Sequence, residues 1–298
     1  MNQLRGVFAP VVSTFSSRTG ELDVAAFSAN LDAYLDGGVH GIVVAGSTGE
    51  AALLDASERA RLVDAARAKV PPDKPLIVGT GAESTRTCVQ LSSDAAVRGA
   101  DAVLVVAPHY YGSAMTNPAL LHHYQRVADE SPVPVMLYNI PKYMHFSLSP
   151  ALVAELASHE NVIGIKDSSG DRELFASYMD LQSPTFAVLT GSAPMFHHAL
   201  SSGSSGGILA VALFALGLAL DVYQSASSGN DSDAATAQSR MTPLGAKIVG
   251  ELGVAGVKTA MDRVGLSGGA VRSPLLPLDL RQAAIVEDLL KAAELASV

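Results

Sequence analysis

Eight short apolar runs, each followed by a longer stretch with helical spacing, constrain this chain more than any other feature of its sequence. They are GVFAPVVST (6–14), GIVVAG (41–46), PLIVGTG (75–81), AVLVVAP (102–108), PVMLYNIP (134–141), VIGIK (162–166), FAVLTG (186–191) and GGILAV (206–211). A strand with one wet face alternates apolar and polar residues, whereas a nearly continuous apolar run predicts a parallel strand buried on both faces. Helical patterns fill the gaps. Residues 23–36 carry Phe27, Leu31, Tyr34 and Leu35 on one side, and 55–70 opens with Asp55 and Glu58 at capping-box spacing. Residues 117–131 open with Asn117 as the expected cap and Pro118 in the first turn. The pattern predicts a (β/α)8 TIM barrel, an α/β fold, with the open doubly wound sheet as its competitor. The barrel is expected over residues 1–215, and residues 216–298 as a C-terminal helical extension packed on it.

Composition removes several function classes. The formal charge of −9 and the lack of a strongly basic run argue against nucleic-acid partners and a polybasic membrane patch. The longest apolar run, ILAVALFALGLAL, has 13 residues, short of the roughly 18 that suggest a membrane span. It reads as a strand running into a buried helix. MNQLRGVFAP lacks the layout of a signal peptide, and a single cysteine, Cys88, forms no internal disulfide and reads as a packed thiol. The expected compartment is the cytoplasm.

Other motifs carry less. GSSGG (203–207) fits G-x-S-x-G, but a helix is expected before it and a strand after it, the reverse of a nucleophile elbow. His122, His123, His197 and His198 form adjacent pairs, which make no i, i+4 metal clasp, and read as structural or surface residues; His109 ends a strand. No nucleotide-binding glycine motif is present, so no metal or bound cofactor is expected.

In a barrel the C-terminal ends of the strands converge on one face, where chemistry sits. Of the seven lysines, only Lys166 directly follows a buried strand; Lys69, Lys74, Lys142, Lys247, Lys258 and Lys291 fall on expected helices or loops. A free lysine is neutral in roughly one molecule in 2,500 at pH 7, and burial in general favours the neutral nucleophile that forms a Schiff base with a ketone. An ion pair with Asp167 would explain Lys166 without chemistry, so the decision needs neighbours. Tyr138 ends the adjacent strand and supplies a phenol for proton transfers, although tyrosines also cap cores. In GSTGE (46–50) the glycines let backbone approach a ligand, and Ser47, Thr48 and nearby amides can hold a carboxylate. Together these elements describe a site that anchors a 2-keto acid, attacks its keto carbon and shuttles protons. A covalent imine on Lys166 takes the place of a cofactor.

GSTGE, PHYYG, YNIP and GIKDSSGD, in this order and spacing, resemble the dihydrodipicolinate synthase / N-acetylneuraminate lyase family of class I pyruvate aldolases across essentially the whole chain. The resemblance implies Lys166 as the Schiff-base lysine and Tyr138 as the relay tyrosine. Ser47 and Thr48 then hold the pyruvate carboxylate beside Gly49, with Thr48 also in the relay. Tyr110 corresponds to a relay tyrosine that many members supply from a neighbouring subunit, with Tyr111 adjoining it. Gly191 and Leu209 fall where the family lines its pocket, and the implied assembly is a homotetramer or homodimer.

Family synthases carry an arginine five residues after the YN tyrosine to bind the second substrate's carboxylate; YNIPKYMHF puts Tyr143 there, with Lys142 one residue earlier. A phenol lacks the charge and bidentate grip of a guanidinium. The stretch from Asp101 through YNIP and GVAGVKTAMDRVGLSGGAVRSPL resemble the 4-hydroxy-2-oxoglutarate aldolase branch, which releases pyruvate and glyoxylate, and Ser-Thr in GSTGE resembles the lyases more than the synthases. A 2-keto acid aldolase is therefore the expected activity. The alternatives are condensation of pyruvate with aspartate semialdehyde, and a sugar-derived keto acid dehydratase or aldolase. A silent keto-acid-binding barrel is disfavoured because lysine and tyrosine are both present.

Overall fold

The computed structural model describes residues 4–295; the outermost residues of the two expected segments, 1–3 and 296–298, lie outside the described residues. Eight parallel strands close into a barrel: β1 (Gly6–Pro10), β2 (Gly41–Val44), β3 (Leu76–Gly79), β4 (Ala102–Val106), β5 (Val135–Asn139), β6 (Val162–Asp167), β7 (Ala187–Thr190) and β8 (Gly206–Ile208). Each pairs with the next, and β8 returns to β1. At that seam Gly6 faces Gly206 in register, with φ of 114° and 146°. A Cβ on Gly206 would overlap the Gly6 carbonyl oxygen, so only glycine lets the last strand come this close to the first.

The strands are buried almost throughout, as their apolar runs require, but most are shorter than those runs. Val12 and Ile140 stay buried after the chain has left the ladder, so apolarity extends past pairing. The run at 208–220 divides into the end of β8, a 3-10 turn (Ala210–Leu213) and the start of a helix (Leu216–Ser227) packed on β1.

Local signals explain the outer helices. Asp23 caps Val24–Asp36, which buries Phe27, Leu31 and Tyr34, and Asp55 and Glu58 form a reciprocal capping box on Ala56–Lys69. The helix Asn117–Glu130 is capped one residue earlier than expected: the Thr116 hydroxyl accepts from the Ala119 N–H, and Asn117 is already helical. After the barrel come Asp231–Pro243, a π-helical stretch Leu244–Glu251, Gly253–Arg263 and Leu280–Ala292. The middle two lie over the C-terminal mouth of the barrel and wall one side of its cavity. No helix among the described residues is long and apolar enough to cross a membrane.

Candidate active site

The register of β5 against β6 sets Tyr138 beside Lys166, and in-register residues of parallel neighbours point to the same face. Lys166 is only 4% exposed, with Nζ 4.2 Å from the Tyr138 ring centroid. Its amine makes no ion pair or hydrogen bond among the described residues. The explanation by Asp167 fails: that carboxylate accepts from Asn139 Nδ2 (2.7 Å), the Ser169 N–H (3.2 Å) and the Ser169 hydroxyl (2.8 Å). Burial raises the Asp167 carboxyl above its ordinary range, opposed by those same bonds.

Ser47 reaches the pair from β2, its hydroxyl donating to the Tyr138 oxygen over a long 3.4 Å. The turn carrying Ser47 and Thr48 has Ala45 just before it and Glu50 at its end, both left-handed at φ 53° and 54°. Such conformations are costly without glycine and persist where surrounding structure enforces them. Ser47, Thr48, Tyr138, Tyr143, Lys166 and Gly191 all line one cavity of about 210 Å³ at the mouth. Gly191 is needed there, since a Cβ at this position would lie 2.9 Å from Lys166 Cε and overlap the Ser168 hydroxyl. Burial, with the Tyr138 phenol nearby, raises the Tyr143 phenol, so it stays a neutral donor at pH 7.

Three expected residues are placed differently. Leu209 is fully buried, and the wall is made instead by its neighbours Ile208 and Ala210, because the chain turns into 3-10 geometry after β8. Gly49 supports the turn from behind, its carbonyl accepting from the Ser13 hydroxyl at 2.6 Å. Tyr110 lies outside the cavity, 78% exposed and packed edge-on against Tyr111 at 5.0 Å. Its N–H and that of His109 donate to Glu83, which with His109, Leu275 and Leu276 lines a second cavity of about 600 Å³. Ser47 and Tyr143 border both cavities.

Sequence reasoning passed over Ser168, Ser169 and Ser192, although the first two stand two and three residues after the lysine, and the wall formed by Gly245 through Val257. Lys142, the nearest cation to Tyr143 in sequence, is committed to the Gly250 carbonyl at 2.6 Å. The set-aside motifs are structural. Ser205, the serine of the G-x-S-x-G match, is buried and accepts from Gln182 Nε2 at 2.9 Å. His123 is buried against Thr85, His197 pairs with Asp231, and Cys88 is fully buried.

Comparison with known proteins agrees with this geometry. The model of the dihydrodipicolinate synthetase family matches residues 3–293. A 4-hydroxy-tetrahydrodipicolinate synthase of Xanthomonas axonopodis pv. citri is 37% identical over 276 residues, 92% of this chain and 90% of its own length. Among solved structures, a prophage protein of the dihydrodipicolinic acid synthase family from E. coli K12, in complex with pyruvate, superposes with a TM-score of 0.92 at 30% identity, covering 98% of this chain and 99% of its own. A chloride-inhibited dihydrodipicolinate synthase from Acinetobacter baumannii complexed with pyruvate gives a TM-score of 0.93 at 28% identity, covering 98% and 100%.

Proposed function

This chain belongs to the dihydrodipicolinate synthetase family of pyruvate-dependent lyases and synthases, and from that premise we propose that it is a 2-keto acid aldolase that releases pyruvate through an imine on Lys166. The observation that carries the reading is the buried, unpartnered amine beside the Tyr138 ring and the Ser47 hydroxyl. The N–H groups of Ser47 and Thr48 donate to nothing among the described residues and are free to take a carboxylate. With the acid anchored there, Lys166 Nζ adds to the keto carbon, giving a carbinolamine that loses water to form the imine. Tyr138 moves the protons of that exchange. Removal of the proton from the 4-hydroxyl then expels an aldehyde as the C3–C4 bond breaks. The imine takes up the electron pair, leaving an enamine. Protonation at C3 and hydrolysis return pyruvate and the free amine.

The substrate we favour is 4-hydroxy-2-oxoglutarate. A second reading, condensation of pyruvate with aspartate semialdehyde, draws support from the names of the curated relatives. Against it stands the Tyr143 phenol at the rim, with no arginine among the cavity's lining residues. We further propose that Tyr110 serves the site of a second copy of the chain, which would account for an aromatic side chain 78% exposed.

Borohydride reduction in the presence of pyruvate, followed by peptide mass mapping, tests the chemistry. A pyruvate adduct on Lys166 is expected, and Lys166→Ala abolishes it while the protein stays folded; an adduct elsewhere, or none, overturns the reading. Pyruvate release from 4-hydroxy-2-oxoglutarate, compared with condensation on aspartate semialdehyde, separates the two substrates.

A further inference from the structure

A second lysine is as deeply buried as the first. Lys258, in the helix Gly253–Arg263, is 2% exposed, and its ammonium has a partner in three directions. Nζ donates to the Ser13 carbonyl at 2.8 Å and the Ala270 carbonyl at 2.6 Å, and pairs with Glu50 Oε1 at 2.5 Å. The other Glu50 oxygen accepts the Arg272 N–H at 2.8 Å. The Arg272 side chain makes a fork-on-fork pair with Glu58, both contacts at 2.6 Å. Phe15 lies between the two cations, its ring centroid 4.7 Å from Lys258 Nζ and 4.0 Å from Arg272 Cζ.

Two threads of this network, through Glu50 and through Ser13, end on the turn that carries Ser47 and Thr48. Glu50 closes that turn, its left-handed backbone donating to the Ser47 carbonyl at 3.1 Å. Ser13, held through its carbonyl by Lys258, uses its hydroxyl to hold the Gly49 carbonyl. Lys258 thus grips the turn twice, once through the Glu50 carboxylate and once through Ser13. A buried ion pair is a poor device for stability alone, because desolvation offsets most of its attraction, but it fixes geometry. A turn with two left-handed non-glycine residues flanking its ligand-binding groups needs such fixing.

We propose that Lys258 is a positioning residue for the carboxylate-binding turn, so that the segment after the barrel sets the affinity for pyruvate through Glu50 and Ser13. The inference rests on the reading of Ser47 and Thr48 as the carboxylate anchor. It predicts a split between binding and chemistry, since the network touches the anchor and not the amine.

The test is the rate of borohydride trapping on Lys166 as a function of pyruvate concentration, in Glu50→Gln, Ser13→Ala and the double variant Glu50→Gln/Lys258→Met. The double variant leaves no uncompensated charge behind. Half-saturating pyruvate is expected to rise about tenfold in Glu50→Gln and in the double variant, and several-fold in Ser13→Ala, with the maximal trapping rate within about twofold of the native protein. A purely structural pair would instead show native half-saturation in the double variant, and that result overturns the proposal. Equal losses in half-saturation and maximal rate overturn it too, because the effect would then reach Lys166. Failure of the native protein to trap pyruvate refutes the aldolase reading; native trapping with unmoved variants refutes the positioning role only.

Discussion

Replacing Gly191 with alanine tests how tightly the Lys166 amine, the nucleophile in our proposal, is held. The new Cβ would stand 2.9 Å from Lys166 Cε, about 0.6 Å inside the shortest comfortable carbon–carbon contact of ~3.5 Å. It would also overlap the Ser168 hydroxyl, which a rotamer change can move aside; the Lys166 methylene has less room, pressed between β7 and the Tyr138 ring. The backbone cannot yield easily, because the Gly191 N–H is bonded to the Asp167 carbonyl at 2.6 Å. Displacements approaching 1 Å at a reacting atom cost up to about 100-fold in rate. A shift of roughly half an ångström or more should therefore lower turnover and pyruvate trapping by about 10- to 100-fold, or about 1.4–2.7 kcal/mol of barrier. Stability should hardly change. Gly191 lies outside the left-handed region, and a smaller unfolded-state entropy contributes about 0.4–1 kcal/mol in favour of alanine. The assay is single-turnover trapping at saturating pyruvate together with a thermal melt. Native trapping in the variant would refute the claim that Lys166 is sterically fixed, and a melting point lowered by more than about 5 °C would place the clash in the fold rather than on the amine.

Tyr138→Phe keeps the ring against Lys166 but removes the proposed proton relay, so turnover should fall about 10²- to 10⁴-fold in a fold unchanged by circular dichroism. Tyr143→Arg should raise condensation with aspartate semialdehyde by about tenfold or more, measured as kcat/KM, because a guanidinium grips a carboxylate bidentately; no gain would show that residue 143 does not face the second substrate. Burial lowers the pKa of His123 to about 4, so between that value and about 6.5 the unfolded chain holds a proton that the native one lacks. Stability should then drop by roughly 3 kcal/mol as pH falls across this window; urea midpoints in His123→Leu should lose that part of the slope. Burial also raises the Cys88 thiol to about 12, so a thiol reagent should leave the native protein unlabelled and react only on unfolding.

How far the sequence could be read follows from what each pattern reports. Unbroken apolar runs report burial, so all eight strands were legible, while their ends were not: Val12 and Ile140 are buried beyond the ends of β1 and β5. Lys166 and Tyr138 were legible because residues at corresponding ends of adjacent parallel strands must meet. Leu209 was placed in the pocket by resemblance alone, and here a 3-10 turn after β8 leaves Ile208 and Ala210 lining the cavity instead. The wall from Gly245 to Val257 and the grip of Lys258 on the anchor turn depend on contacts such as Lys258 with Ser13, 245 residues apart, for which no local spacing exists. One local sign was present: Lys258 shares a buried helix face with Val257, Ala260 and Met261. Even so, a lysine in an apolar setting is ambiguous until its surroundings are known. Burial lowers the pKa of Lys258, and the Glu50 carboxylate opposes that shift while two carbonyls accept from the amine; Lys166 faces a phenol ring and open cavity. Two amines of nearly equal burial are thus directed to opposite uses, and what separates them is the placement of one carboxylate, Glu50, two residues beyond the threonine that binds the substrate's acid in our reading.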